Sequence, residues 1–168
     1  MRSLVLLSVT LLSLCSFAAA NETTAPNTNR IAVQGALATD GNLGIGIVNY
    51  APNTELGLTL SGSFNNAQYP TQTLTSVIFG GLRKQIGEQT FFAYGINTLG
   101  TFGKVNGVSI HSDYAIGPYV SLEQMLTYHF MLSGWIEPYQ YQYENFGGAA
   151  VSTNSFFAAG GIAINYLF

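Results

Sequence analysis

Apolar and polar side chains alternate along most of this chain with a period of two residues. The pattern is clearest over residues 54–64, where Leu56, Leu58 and Leu60 share one face. Polar or small residues occupy the positions between them. Because successive side chains of a β-strand point to opposite faces, this period predicts a strand with one apolar and one polar face.

Eight segments carry this alternation. They are residues 30–38, 43–50, 54–64, 74–86, 91–102, 110–126, 128–141 and a last strand that includes 156–168. In the second segment we place Leu43, Ile45 and Ile47 on the apolar face, although Val48 and Tyr50 favour the opposite register. The pattern therefore predicts an all-β chain.

The amino-acid composition indicates a membrane protein and not a soluble one. Apolar residues make up 48% of the chain and charged residues only 8%, against roughly 25% charged in ordinary soluble domains. After residue 20 no run approaches the roughly 20 apolar residues of a spanning helix. Since every backbone group in a bilayer must be paired within the protein, we predict a closed, eight-stranded antiparallel up-and-down transmembrane β-barrel. The rival is a soluble β-sandwich, for which the charges are too few.

The first 20 residues have the features of a secretory signal peptide. Arg2 precedes an apolar stretch, and Ala18 to Ala20 form a small-residue cleavage site. A lipoprotein signal at Cys15 is the alternative, although Leu14 stands where such signals need a small residue. We expect a disordered leader over residues 21–29, the barrel over residues 30–168, and no cysteine chemistry after cleavage.

The connections between segments predict the orientation. Those at 51–53, 87–89 and Thr127 are short, whereas 65–73, 103–109 and 142–154 are longer, and 39–42 is a tight Asp-Gly hairpin. Short turns face the periplasm in transmembrane barrels and longer loops face outward. Both termini are therefore expected in the periplasm.

Two stretches resemble known outer-membrane barrels. At the end of the sequence every second residue is apolar and is expected to face outward; these residues are Ile162, Ile164, Tyr166 and Phe168. This pattern resembles the C-terminal signal that the barrel assembly machinery reads. Residues 117–123 and 130–137 resemble the penultimate hairpin of small OmpA-type and OmpX-type barrels. The resemblance implies the outer membrane of a Gram-negative bacterium, contact with lipid and lipopolysaccharide, and a role as adhesin, evasion factor, anchor or structural protein.

Outward aromatic residues fit two interfacial girdles. The periplasmic girdle would hold Phe92, Tyr94, Tyr128, Phe130, Tyr166 and Phe168, and the outer one Phe64, Phe102, Tyr114 and Phe156.

Two prolines interrupt the regular backbone pairing that is expected of the strands. Pro118 and Pro138 lack a backbone donor, so we expect a bulge or a ladder end at each.

Ionisable side chains fall on the inward faces of the strands. The inward set is Glu55, Arg83, Asn97, His111, Asp113, Tyr119, Glu123, His129, Trp135, Glu137 and Tyr139. Ionisable groups inside membrane proteins usually pair. We therefore predict a structural ion cluster of Arg83 with Glu55, Glu123 and Glu137, in which carboxylates outnumber the cation.

The sequence offers no suitable arrangement of catalytic residues, and we expect that the protein is not an enzyme. His111 and Ser112 are strand neighbours on opposite faces, and His129 and Ser133 would lie about 13 Å apart. His111 and Asp113 share a face near the outer rim, and a cross-strand serine could complete a site with them. That possibility leaves a lipid A-modifying enzyme as an alternative function.

Metal, cofactor and nucleic-acid binding are not expected. Two histidines on neighbouring strands at different heights make a poor metal site. The net charge of −3 and the absence of a basic cluster in the sequence argue against nucleic acid, and no phosphate-binding loop is present.

The expected function is a structural or surface-interaction role, with a narrow small-solute channel as another alternative. Tyr141, Tyr143 and Phe146 lie in the predicted loop region over residues 141–154 and could contact a host or envelope protein.

Overall fold

The described part of the chain is a β-barrel. The computed structural model describes residues 29–39, 41–65, 71–105, 108–146 and 149–168. Over these residues the strands are β1 (Arg30–Ala38), β2 (Leu43–Tyr50), β3 (Thr54–Asn65), β4 (Thr71–Gln85), β5 (Thr90–Val105), β6 (Val108–Met125), β7 (Phe130–Phe146) and β8 (Ala149–Leu167). None of the described residues belongs to a helix long and apolar enough to span a membrane. The expected signal peptide and most of the leader lie outside the described residues.

Each strand pairs antiparallel with the next, and β1 pairs with β8 to close the barrel. The closing seam aligns Val33 with Tyr166 and Leu37 with Ile162. Closure leaves no edge along the paired part of the sheet, which is the property that allows a sheet to cross a bilayer. The predicted closed antiparallel barrel is confirmed.

Apolar side chains cover the outside of the wall, whereas the buried polar side chains and a smaller set of apolar ones face the lumen. In β2, Ile45 is 73% exposed while Val48 and Tyr50 are buried, so the preferred register of this strand is correct. The alternation also predicts the outward residues of the first, fourth and fifth segments, and all of them are exposed: Ile31, Val33, Leu37, Leu74, Ile78, Leu82, Phe92, Tyr94, Ile96 and Phe102. Gln34, Asn97 and Asn165 are buried. This arrangement is inverted relative to a soluble protein.

Both prolines fall at irregularities in the ladder, as the sequence predicted. The β6–β7 register shifts between Ile116 and Val120, a stretch that contains Pro118. The β7–β8 register shifts between Glu137 and Tyr139, on either side of Pro138. A residue without a backbone donor is tolerated best where pairing is already interrupted.

The bulge at Pro138 corrects the prediction that Tyr139 faces the lumen. The Tyr139 ring packs edge-on against the exposed ring of Phe156, with centroids 5.6 Å apart. Its hydroxyl donates a hydrogen bond to Asn154 Oδ1 at 2.6 Å. An extra residue in a strand moves every later side chain to the other face.

Several residues predicted as loops continue the strands. β5 runs to Val105 and β6 begins at Val108, while β7 runs to Phe146 and β8 begins at Ala149. Tyr141, Tyr143 and Phe146 therefore lie in β7 and not in a loop. Alternation persists in this region, and backbone pairing with β8 extends the hairpin. Residues 66–70 of another predicted loop lie outside the described residues.

His129 is also corrected, because it lies in the β6–β7 turn and not on an inward strand face. β7 begins at Phe130, two residues later than predicted. The Thr127 hydroxyl accepts hydrogen bonds from the backbone N–H of His129 at 3.3 Å and of Phe130 at 3.1 Å. This local side-chain to backbone bonding favours a turn over a strand.

Candidate functional site in the barrel lumen

One end of the lumen is filled by an apolar plug. We call the end of the barrel that holds Arg30 and Phe168 the terminus end, and the opposite end the hairpin end. The plug consists of Ala32, Val48, Tyr50, Phe91, Met125, Met131 and Leu167, with Phe79 packed against it. Most of these residues stand at strand ends beside the β2–β3, β4–β5 and β6–β7 turns. The terminus end is therefore closed by packed side chains.

Arg83 and Glu123 form a buried ion pair at this plug. Arg83 Nε donates to Glu123 Oε2 at 2.5 Å. The guanidinium carbon lies 3.5 Å from the centroid of the Phe91 ring and 5.0 Å from that of Tyr50. Aromatic faces stabilise a desolvated cation. The ion pair is thus held within the plug by both charge and packing.

The other two carboxylates of the predicted cluster have neutral hydrogen-bond donors. Tyr119 donates to Glu55 Oε1 at 2.5 Å. Asn97 donates to one oxygen of Glu137 at 2.5 Å and Gln140 to the other at 3.2 Å. The structure therefore brings Arg83 to Glu123 and Glu55 next to both of them, whereas Glu137 is bonded to the amides of Asn97 and Gln140.

Glycines give the lumen its shape near Glu55. The Phe79 ring lies where a side chain at Gly57 would stand, and the Tyr119 hydroxyl lies 2.6 Å from an ideal Cβ position at Gly81. The Phe79 and Tyr119 rings meet edge-on with centroids 5.8 Å apart. Small residues on β3 and β4 thus make room for large side chains from other parts of the wall.

A cavity of about 360 Å³ lies on the hairpin side of the plug. Its wall combines apolar side chains such as Val77, Leu99 and Trp135 with threonines from β3, β4 and β5. Tyr119 and Glu55 also line it. The size is at the lower end of the roughly 300–1,000 Å³ range of small-molecule sites. Geometrically, the lumen is a blind pocket.

The residues considered for catalysis do not form a site in the described part of the chain. Asp113 Oδ1 accepts a hydrogen bond from Gln142 at 3.2 Å. The side chains of His111 and Ser112 lie outside the described residues. His129 Nδ1 lies 2.9 Å from the carbonyl oxygen of Leu167, in the turn. No group of three or more His, Cys, Asp or Glu side chains that could hold a metal occurs among the described residues.

Sequence reasoning missed Arg30. Its guanidinium donates to three backbone carbonyls, those of Tyr128 at 2.5 Å, Leu167 at 3.3 Å and Phe168 at 3.2 Å. The guanidinium carbon also lies 4.2 Å from the centroid of the Tyr128 ring. Arg30 shares the inward face with Ala32 and Gln34. The alternation of β1 could therefore have identified Arg30 as an inward-facing cation. The side chain joins β1, β8 and the β6–β7 turn.

We expect Arg30→Met to lower the free energy of unfolding by about 2 kcal/mol. Three backbone carbonyls lose a charged donor, and the carbonyls near the end of the barrel regain part of this energy by hydrogen-bonding to water. Urea titration of the refolded barrel in lipid vesicles would measure the change. Lys84→Met is the control, since Lys84 is an exposed cation, and we expect it to have little effect. Equal effects of the two substitutions would contradict the role assigned to Arg30.

The predicted assembly-signal residues lie on the outer face at the terminus end. Phe168, Tyr166 and Ile164 are exposed, and Ile162 is half-buried. The Tyr166 ring packs edge-on against Phe168 and Phe130. These contacts belong to a cluster of aromatic residues around the β6–β7 turn.

The fold was compared with known proteins. The chain matches no protein-family model and no curated protein. The barrel fold that the sequence resemblance implies is confirmed by the closed antiparallel sheet of eight strands. Among solved structures, Neisserial surface protein A (NspA) has a TM-score of 0.49 at 9% identity, over 83% of this chain and 94% of that chain.

Two further solved structures are similar. Ail, the attachment invasion locus protein of Yersinia pestis, has a TM-score of 0.48 at 9% identity and covers 86% of this chain and 100% of that chain. The outer membrane protein AlkL, determined in DMPC lipid bilayers, has a TM-score of 0.47 at 11% identity and covers 89% of this chain and 94% of that chain. These identities are too low to transfer the role of any residue.

Proposed function

We propose that this protein is an integral outer-membrane barrel of a Gram-negative bacterium, without enzymatic activity, in which the packed wall has a structural or surface-interaction role. The observation that carries the proposal is the inverted distribution of polarity. Leu56, Leu58 and Leu60 are exposed on the outer face while Glu55 is buried inside. Water would not solvate such a surface favourably, whereas lipid would.

Aromatic residues at the terminus end support an interfacial placement. Tyr128, Phe130, Tyr166 and Phe168 are exposed there, and successive rings are in contact. Tyrosine and other amphipathic rings favour the headgroup level of a bilayer. We propose that this end faces the periplasm, that the barrel assembly machinery reads the outward residues from Ile162 to Phe168, and that lipid and lipopolysaccharide surround the wall.

The extended β7–β8 hairpin supports the surface-interaction part of the proposal. Tyr141 is 41% exposed, and its hydroxyl lies within hydrogen-bond distance of Ser152 Oγ, at 3.2 Å. Aromatic residues with a polar group are enriched at protein interfaces. We propose that Tyr141 and Tyr143, on a paired strand, present a contact face to a host or envelope protein.

The plug favours a barrel that does not conduct. Eight strands enclose a lumen only just wide enough for the side chains that fill it, and Phe91 and Met131 are buried at the terminus end. We expect the purified barrel to give no steady conductance steps in a planar bilayer.

A matched pair of variants tests that expectation. Phe91→Ala with Met131→Ala removes plug volume and should introduce small conductance steps. Phe92→Ala with Leu132→Ala changes the neighbouring residues outside the plug and should leave the bilayer silent. Steady steps from the unmodified barrel would instead favour the narrow-channel alternative. A heat-dependent shift in electrophoretic mobility verifies that each variant is folded.

A further inference from the structure

The hairpin-end part of β8 has a neighbouring strand on one side only. β8 has 19 residues, whereas β1 has 9. Pairing with β1 covers residues 161–167, and the backbone N–H of Thr39 adds one hydrogen bond to the carbonyl of Gly160 at 2.7 Å. Residues 149–156 pair in regular register with β7, and no described residue pairs with their other side. We call this side of residues 149–156 the free edge.

The free edge lies beyond the bilayer core in the proposed orientation. A tilted strand of about 9–11 residues crosses the hydrocarbon. Residues 158–167 already reach this length, so residues 149–156 stand outside with the tip of their hairpin. Successive residues of an antiparallel strand direct their backbone N–H and C=O groups to alternate sides. Half of these groups in the free edge therefore point away from β7 and are available to another chain.

The free edge lacks the residues that usually protect an exposed strand. Natural sheet edges are commonly blunted by lysine and other charged side chains, by proline or by a β-bulge. Residues 149–156 read AAVSTNSF and contain neither a proline nor a charged residue. The nearest irregularity is the bulge at Phe157, whose φ of 51° is positive, and it lies on the bilayer side of this stretch. The bulge thus ends the free edge without protecting it.

Charge indicates what kind of segment fits beside this edge. Glu144 of β7 is the cross-strand neighbour of Val151, and Asp113 of β6 is the next neighbour beyond Glu144. Gln142 donates to the carboxylates of Glu144 at 2.7 Å and Asp113 at 3.2 Å, and neither carboxylate belongs to an ion pair in the described part of the chain. Lys104, the described cation of this end, lies on β5, with β6 and β7 between it and β8. A segment with positive charge is therefore favoured.

We propose that the free edge binds an extended basic segment of another protein, which adds to β8 as a further strand. The added strand uses the same side of β8 as the closing seam, and it continues the place of β1 beyond Thr39. Main-chain hydrogen bonds supply the affinity in this mode of recognition. Neighbouring strands lie about 4.8 Å apart, so a lysine of the segment and Glu144 together bridge the about 10 Å to β7.

A second copy of the barrel does not fit the free edge. A two-fold axis along the membrane normal would run both β8 strands in the same direction and cross them at about 70–90°. An extended segment of a different protein has no such constraint. This interaction rests on the surface-interaction role proposed above and specifies the chemistry of its partner.

A ten-residue peptide of alternating threonine and lysine is the probe for backbone pairing. With the folded barrel in neutral detergent, we expect saturable binding and slower amide hydrogen exchange within residues 149–156. A threonine–glutamate peptide of the same length should bind at least about tenfold more weakly. The lysine peptide with two threonines replaced by proline keeps its charge but cannot complete a ladder, and it should also bind at least about tenfold more weakly. Equal binding of the proline peptide, or no added protection within residues 149–156, would overturn the proposal.

Two lysine substitutions locate the binding. Thr153→Lys introduces a residue that blunts sheet edges, and it should weaken binding of the threonine–lysine peptide at least about tenfold. Ser109→Lys is the matched control, because Ser109 is exposed at the hairpin end of β6 and the substitution adds the same charge. It should change binding by less than about twofold. The heat-dependent mobility shift selects folded variants, and Asn154→Lys takes the place of Thr153→Lys if that variant does not fold.

A further variant separates the free edge from the proposed tyrosine contact face. Tyr141→Ser combined with Tyr143→Ser leaves the backbone of β8 in place, so peptide binding should stay within about twofold of the parent. Loss of binding in this variant, together with full binding by Thr153→Lys, would overturn the edge proposal and leave the tyrosine contact face standing. Loss of binding by Thr153→Lys alone supports the edge proposal.

Discussion

Arg83→Met is expected to lower the free energy of unfolding by about 3–5 kcal/mol, because it leaves the Glu123 carboxylate buried without its cation. Arg83 and Glu123 are 7% and 1% exposed, so neither group has bulk water as a substitute partner. The guanidinium also packs on the Phe91 ring, a contact that methionine only partly replaces. Urea unfolding of the barrel in lipid vesicles would measure the loss.

A second variant separates the charge from the packing. Arg83→Met combined with Glu123→Leu removes both partners, and replacing a whole buried ion pair by apolar groups is often close to neutral. We therefore expect the double variant to be more stable than the single one. A single variant that loses less than about 1 kcal/mol would show that the pair behaves like a solvated surface salt bridge, and the ion pair would lose its structural role.

Leu58→Arg is expected to lower stability in lipid by about 2–4 kcal/mol, which is the cost of a cation on the lipid face near the bilayer midplane. Leu58 stands in the middle of β3 between Ile47 on β2 and Ile78 on β4. All three side chains are exposed. In a soluble protein, substitution of such an exposed residue would usually change stability by less than about 0.5 kcal/mol. The same vesicle unfolding assay therefore discriminates between the two environments.

Val151→Arg provides the matched control for this substitution. Val151 is an exposed aliphatic residue close to the tip of the β7–β8 hairpin. Outside the hydrocarbon region the penalty for arginine falls to about 0–1 kcal/mol. Equal losses of stability from Leu58→Arg and Val151→Arg would contradict this arrangement. It places the middle of the strands in lipid and the hairpin tips outside it.

The course of the strands was largely predictable, because strand periodicity is a local property. Each of Ile31, Val33 and Leu37 takes its face from its own position in an alternating run, and closure follows from the need to pair backbone groups. The same reasoning located the irregularities at Pro118 and Pro138, since a missing donor is visible in the sequence. It failed for His129, whose turn depends on bonds to the Thr127 hydroxyl.

The contacts between side chains in the lumen could not be predicted from the strand face of each residue alone. Arg83, Glu55, Glu123 and Glu137 all point inward, yet Glu137 has partners of its own, apart from the other three. Which inward residues meet depends on the stagger between strands and on every bulge in the ladder. Glu137 lies within the irregular stretch of the β6–β7 pair, whereas Glu123 lies in its regular part, and Glu137 is bonded to Asn97. Likewise, the bulge beside Pro138 sends Tyr139 to the outer face.

The amino-acid sequence by itself determined the strands, their lipid-compatible faces and the number of segments around the barrel, because a two-residue period and the cost of unpaired backbone groups act along the chain. The tertiary structure alone decided that one end of the lumen is plugged, that Arg30 joins β1 to β8, and that Glu55 lies beside the ion pair of Arg83 and Glu123. These features depend on distances between residues that are far apart in sequence, and such distances are set by barrel closure and register.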